Sequence, residues 1–246
     1  MSESTKPQLE VCPSPSLLHL YDVSGSVVVI IDVLRATSTI ATALYNGASR
    51  VIPVASVEEC VRLGKELQAI TAGERDGMIA EGLQHGNSPF EYPREFVEGK
   101  TLVLTTTNGT RLLHMAKGAQ GILTGSFPNL SAVTEYLRQL SCPVILGCAA
   151  WKDRINIEDM LFAGAVVQQV RDHFYVNCDS ALAAETLYER ARKDLYGFMQ
   201  RASHFERLSR YGLQEDIRYC LTPDVAPVLP VLQNGMLVSR KAETPA

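Results

Sequence analysis

Continuous runs of aliphatic and β-branched residues alternate along the chain with segments whose apolar positions recur every three to four residues. The first kind reads as strands covered on both faces and the second as the helices that cover them. The pattern therefore predicts an α/β protein of three α/β/α layers around a mixed, mostly parallel sheet. VVVII, at 27–31, opens the cycle; a helix from about Thr37 to Asn46 follows, Gly47 stops it, and RVIPVA makes the next strand. LVLTTTNGTRLLHMAKGAQGILTGS, from Leu102 to Ser126, repeats the sequence of strand, hydroxyl-rich turn, helix and strand. NGASRVIPVAS and KGAQGILTGS match in form, and each leads through a helix (VEECVRLGKELQ, NLSAVTEYLRQL) to a further strand, ending at TAGERDG and at ILGCAAWKDR. Two βαβαβ units at 24–80 and 99–155 read as an internal duplication with a period of about 70 residues, too few and too long for a solenoid.

The remainder, 156–240, is less regular. INIEDMLFAGAVVQQVRDHF has helical periodicity, 181–212 is mostly helical by pattern, and LTPDVAPVLPVLQNGMLVS is extended, with prolines suited to sheet edges and connections. No Gly/Ser-rich linker marks a second domain, so one domain is expected across 1–246.

Composition narrows the setting. With 246 residues, 46% of them apolar, the chain can bury a large core. Its net charge is −4 and no basic block appears, which argues against nucleic acid as a partner. The polar start MSESTKPQLE does not read as a signal peptide, and no apolar run approaches the ~20 residues of a membrane span. A cytoplasmic protein with no membrane partner is expected. The six cysteines lack C-x-x-C pairing and read as reduced thiols, and no two histidines stand at i, i+4 to suggest zinc. Oxygen ligands fit magnesium better.

In such a sheet, ligands bind beyond the carboxyl ends of the parallel strands, and polar residues collect at those positions. Asp32 follows VVVII directly and is either a site carboxylate or a helix cap, although Thr37 and Ser38 stand nearer the helix start and can cap it. Arg35 either neutralises that carboxylate or binds an anion bidentately. The equivalent turn in the second unit carries Thr105, Thr106, Thr107, Asn108 and Thr110, a hydroxyl-rich helix start suited to phosphate. Glu74 and Arg75 lie at another strand end, and Glu81, His85, Asn87 and Ser88 follow in EGLQHGNSPFEY, where Asn, Ser and Pro also suit a turn. Glu158 and Asp159 open a helix, as dipole partners or as site residues. Cys148 to Arg154 fits the C-x5-R spacing of cysteine-dependent phosphatases, but Asp153 works against a thiolate and Trp151 is bulky for a phosphate cradle. Lys152 and Arg154 remain candidate anion contacts. There is no G-x-x-x-x-G-K-[ST] loop, and Asp32 lacks the second Asp two residues on that haloacid-dehalogenase-type phosphatases carry.

IIDVLRATSTI, AGERDG, EGLQHGNSP, LTTTNGTR and INIEDMLFAG, in this order and at these intervals, resemble the 2-phosphosulfolactate phosphatase family, and the similarity runs from CPSPSLLHLY to GLQEDIRYC. The resemblance implies an α/β/α fold of its own and a Mg²⁺-dependent phosphatase that converts 2-phosphosulfolactate and water to sulfolactate and phosphate, a step of coenzyme M biosynthesis. Carried onto these residues, it has Mg²⁺ held by Asp32 with Glu74 or Glu158, and the 106–108 turn and Arg35 stabilising charge on the phosphoryl oxygens. A carboxylate would activate water, or Asp32 would attack. Arg75, Lys152 or Arg154 would read the sulfonate or carboxylate, with Asn87 and Ser88 beside the substrate. Two alternatives stand beside this reading: a non-catalytic sensor of phosphorylated or sulfonated small anions, and a cysteine-dependent phosphatase using Cys148. The crowded CAAWKDR loop is where substrate preference is expected to vary, and a homodimer is the expected assembly.

Overall fold

The computed structural model describes residues 6–75, 78–106 and 109–240. The chain opens with β1 (Leu9–Cys12), and its first unit comprises β2 (Val27–Ile31), α1 (Ala36–Tyr45), β3 (Arg50–Val54), α2 (Val57–Leu67) and β4 (Ile70–Arg75). A short β5 (Met78–Ile79) and α3 (Arg94–Val97) lead to the second unit: β6 (Thr101–Thr105), α4 (Gly109–Met115), β7 (Gly121–Gly125), α5 (Leu130–Leu137) and β8 (Val144–Cys148). Five helices follow, α6 (Ile157–Val170), α7 (Asp179–Ala191), α8 (Leu195–Met199), α9 (Ser203–Arg210) and α10 (Gln214–Cys220), and then a hairpin of β9 (Pro230–Gln233) and β10 (Met236–Ser239).

All ten strands join one sheet in the order β1-β8-β2-β7-β9-β10-β3-β6-β4-β5. Why VVVII shows no alternation is visible in its packing. Val27, Val29 and Ile31 face the core built with α5, α6 and α7, while Val28 and Ile30 pack with Leu112 and Ala116 on and just beyond α4. In β6 the same division sends Leu102 and Leu104 to one core and Val103, with Cys60 of α2, to another. A strand covered on both faces has no polar side to show.

The two units share the sheet by interleaving. β2, the first strand of unit one, lies between β7 and β8 of unit two, and β6, the first strand of unit two, lies between β3 and β4 of unit one, all in parallel register. The C-terminal hairpin bridges the halves through the antiparallel pairs Leu123↔Val231 and Leu237↔Val51. This corrects the expectation that the proline-rich segment suits an edge. Pro230 stands at the first position of β9, Asn234 and Gly235 turn the hairpin at φ 51° and 79°, and Leu237 is fully buried in the core that Val51 shares. Each half would otherwise end on an unpaired strand, and the hairpin satisfies both.

Behind the sheet, α6 and α7 cross so closely that a Cβ at Gly164 would stand 2.1 Å from the Ala184 carbonyl oxygen, so only glycine fits there. All six cysteines are free, and among the described residues no helix is long and apolar enough to cross a membrane.

Candidate active site

Asp32 is the first residue beyond β2, and the hydroxyl residues after it do the capping. The Asp32 N–H donates to Thr37 Oγ1 (3.1 Å), Thr37 N–H returns a bond to the Asp32 carbonyl (2.9 Å), and Ser38 Oγ donates to the Val33 carbonyl (2.8 Å). The start of α1 is thereby fixed to the strand end, and the Asp32 carboxyl, which takes one backbone bond from Ala36, looks onto a cleft of about 610 Å³. Burial pushes this carboxyl up to about 7; Glu74 and Glu158 add to the rise, and His204 opposes it. On the far side of the same carboxyl, a Cβ at Gly109 would lie 3.2 Å from Asp32 Oδ2. The interleaving has brought the two units' equivalent turns, after β2 and after β6, face to face.

α6 supplies two buried acids with different tasks. Asp159 Oδ1 accepts the Val33 N–H (2.9 Å) and Oδ2 the Ala150 N–H (3.3 Å), so it ties the loop after β2 to the loop after β8. Burial, with Glu158 and Asp32 nearby, holds its carboxyl well above the usual range. Glu158 is fully buried; its Oε1 meets Nδ1 of His204 on α9, and its Oε2 has no hydrogen-bond partner among the described residues. An orphaned oxygen on a buried carboxylate is a place for a proton, a water or an ion.

The cleft is locally basic in an acidic protein. Arg35, Arg75, Lys152, Arg207 and Arg210 line it against the carboxylates of Asp32 and Glu74. Arg35 is buried and ion-paired with Asp216 of α10, so its partner is not Asp32. Arg75 Nη1 donates to the Glu74 carbonyl (2.7 Å) and Nη2 to Thr105 Oγ1 (3.4 Å). Thr106 is buried, its Oγ1 accepting the Thr110 N–H (3.3 Å). Thr107 and Asn108 lie outside the described residues. Asn87 is buried at the cleft, its carbonyl taking the Thr39 hydroxyl (2.9 Å) while its Oδ1 has no partner among the described residues. Ser88, whose N–H donates to Glu91 Oε1 (3.3 Å), caps a short 3₁₀ turn and is not among the cleft-lining residues; neither is Arg154, exposed on the hairpin that it forms with Trp151.

Cys148 does not suit the nucleophile's part. It is fully buried in β8, its thiol is pushed well above the ordinary value by burial and by Asp159, and its sulfur faces Met160 at 4.0 Å. A nucleophilic cysteine needs the opposite shift.

Whether the residues suit Mg²⁺ depends on how many protein ligands it needs. Among the described residues no three His, Cys, Asp or Glu side chains gather into a metal cage. Mg²⁺ keeps most of its water and is commonly held by one or two carboxylates plus substrate oxygens. Asp32 and Glu74 at the cleft, with the orphaned oxygen of Glu158 nearby, fit that mode.

The sequence predicts helix across α9 but carries no sign of its place at the site. His204, Arg207, Leu208 and Tyr211 recur at i, i+3, i+4 and i+7 and all line the cleft. The spacing is present in SHFERLSRY, but in sequence it shows only an amphipathic helix. Burial pulls the Arg207 guanidinium below its ordinary value, and Glu158 and Glu74 push it back up.

Known proteins resemble this chain over most of its length. Residues 12–235 match the family described as 2-phosphosulpholactate phosphatase. A protein of Thermotoga petrophila is 42% identical over 213 residues, covering 87% of this chain and 92% of its own. Relatives from Caldanaerobacter subterraneus subsp. tengcongensis (40% identical, 88% of this chain and 91% of that one) and Clostridium acetobutylicum (39%, 88% and 93%) are similar to it over nearly their whole length. All three carry the name "Probable 2-phosphosulfolactate phosphatase".

Proposed function

The chain belongs to the 2-phosphosulfolactate phosphatase family, and from that premise we propose that it is a phosphoric monoester hydrolase that uses Mg²⁺ to convert 2-phosphosulfolactate and water to sulfolactate and phosphate. The observation that carries this reading is the meeting of Asp32 and Glu74 with the basic side chains of one cleft, close to a buried Glu158 whose Oε2 has no hydrogen-bond partner among the described residues. A module that only binds anions has no use for carboxylates there, since they repel the ligand unless a cation or proton intervenes.

Asp32 and Glu74 are the residues that would hold Mg²⁺, which when bound supplies charge to offset that of the phosphoryl oxygens. Arg35, braced by Asp216, and Thr106 stand at the two facing turns, placed to stabilise charge on the transferring group. His204 lines the cleft with Nδ1 fixed by Glu158, which orients its ring for proton exchange with the leaving oxygen.

The test is phosphate release by the purified protein from 2-phosphosulfolactate and from phosphorylated 2-hydroxy acids, with Mg²⁺ and with excess EDTA. Release that favours the sulfonate and stops on chelation is the expected result. Release that survives chelation removes the metal from the mechanism, and no release from any of these esters removes the activity.

A further inference from the structure

The loop after β8 is shaped to present one aromatic ring. Ala150, Lys152 and Asp153 all adopt left-handed φ angles (57°, 51° and 60°), a conformation that costs non-glycine residues energy and persists where the surroundings enforce it. The surroundings here do so. Trp151 and Arg154 exchange backbone hydrogen bonds (2.9 and 3.0 Å), Asp159 takes the Ala150 N–H, Ser14 Oγ donates to the Asp153 carbonyl (3.1 Å), and Arg111 pairs with the Asp153 carboxylate (2.8 Å). Trp151 is thus held at the cleft, with Arg207 Cζ 3.9 Å and Lys152 Nζ 4.6 Å from its ring centroid. Of the cleft's arginines, Arg35 is committed to Asp216, Arg75 to Glu74 and Thr105, and Arg210 to Glu206. Arg207 differs: its Nη2 is buried and has no hydrogen-bond partner among the described residues. A guanidinium stacked on an indole keeps its N–H groups in plane, where a pair of them can donate to two oxygens of a carboxylate or a sulfonate.

We propose that Arg207, stacked on Trp151, binds the non-reacting acid of the substrate, its sulfonate or carboxylate, and so sets the preference for phosphoesters that carry a second anionic group. This rests on the phosphatase reading for its substrate but not for its binding chemistry. It moves recognition of the distal acid from Arg75 and Arg154 to a residue on α9. Lys152, over the same ring, adds charge without the two-pronged geometry.

The experiment compares wild type with Arg207→Met and Arg207→Lys in two arms. In the first, equilibrium binding of sulfolactate and of inorganic phosphate is measured calorimetrically. Arg207→Met should weaken sulfolactate by about 30-fold or more and phosphate by less than about threefold, with Arg207→Lys between wild type and Arg207→Met. In the second, kcat/KM is measured for 2-phosphosulfolactate, 2-phospholactate and isopropyl phosphate. The preference for the acid-bearing esters should collapse by a similar factor, and the lactate ester shows whether carboxylate or sulfonate is the group held. Unchanged sulfolactate affinity, or equal loss for sulfolactate and phosphate, overturns the proposal. If Arg207→Met fails to fold by thermal denaturation, Arg207→Lys decides, since wild-type sulfolactate affinity in that variant excludes a need for the guanidinium fork. A protein that hydrolyses none of the esters but binds sulfolactate through Arg207 refutes the phosphatase reading and leaves this one standing.

Discussion

The imidazole Nδ1 of His204 meets the carboxylate of Glu158, two side chains 46 positions apart in sequence, one on α9 and the other fully buried on α6. The histidine is the only hydrogen-bond partner of either Glu158 oxygen among the described residues, so His204→Ala leaves a buried carboxyl with neither oxygen satisfied. We expect a loss of about 3 kcal/mol in stability, and Glu158→Gln with His204→Ala should cost less than the sum of the two single changes. Denaturant titration of the four proteins checks this; strict additivity would show that the pair does not act as a unit.

Asp32 makes the metal-free protein sensitive to pH. Its carboxyl is raised from 3.8 to about 7, so the folded state holds the proton more tightly than the unfolded chain. That stabilisation is complete below about pH 4 and is lost as the pH rises through about 7. Asp159, raised in the same direction, adds to the trend. In EDTA, the melting temperature should fall between pH 5 and pH 8, and Asp32→Asn should melt a few degrees above wild type at pH 8 while losing turnover about 10³-fold or more. Added Mg²⁺ should restore the wild type but not the variant. Identical melting profiles for the two proteins would contradict the buried, proton-binding carboxyl.

The pair Arg35–Asp216 is buried on both sides, at 5% and 8% side-chain exposure. Breaking it from one end, by Asp216→Ala, should cost about 3–5 kcal/mol and most of the activity. Arg35→Met with Asp216→Leu should recover much of the stability and none of the turnover. Recovery of activity in that double variant would show that Arg35 serves packing alone.

Cys148→Ala should leave kcat/KM within about twofold and lower stability by about 1–2 kcal/mol, the cost of a small cavity beside Met160. A hundredfold loss in kcat/KM would return the thiol to the mechanism.

What the sequence disclosed follows from where its constraints lie. Val27–Ile31 announces a strand covered on both faces because each of its side chains must be apolar, and Asp32 stands out because a carboxylate ends that run. Glu74 and Thr106 were found by the same logic of strand ends. The interleaving was not legible: parallel strands buried on both faces are all aliphatic, so β2 carries no mark telling which neighbours it takes. Nor was the proline-bearing hairpin recognisable as the centre of the sheet, since Pro230 at a strand's first residue leaves the same trace there as at an edge. His204 and Arg207 escaped notice because an amphipathic helix with a polar cleft face looks in sequence like one with a polar solvent face.

The interleaved strands also bear on how the chain can be made. β2 emerges from the ribosome long before either neighbour, since β7 and β8 lie at 121–125 and 144–148. β3 and β4 in turn wait for 101–105 to slide between them, and the hairpin that joins the halves comes last, at 230–239. Every nascent chain therefore spends most of its synthesis with aliphatic strand edges unpaired. Until β7 is made at 121–125, β2 has neither neighbour, so a chain cut short between 31 and 121 keeps at least one aliphatic strand with both edges open to other chains.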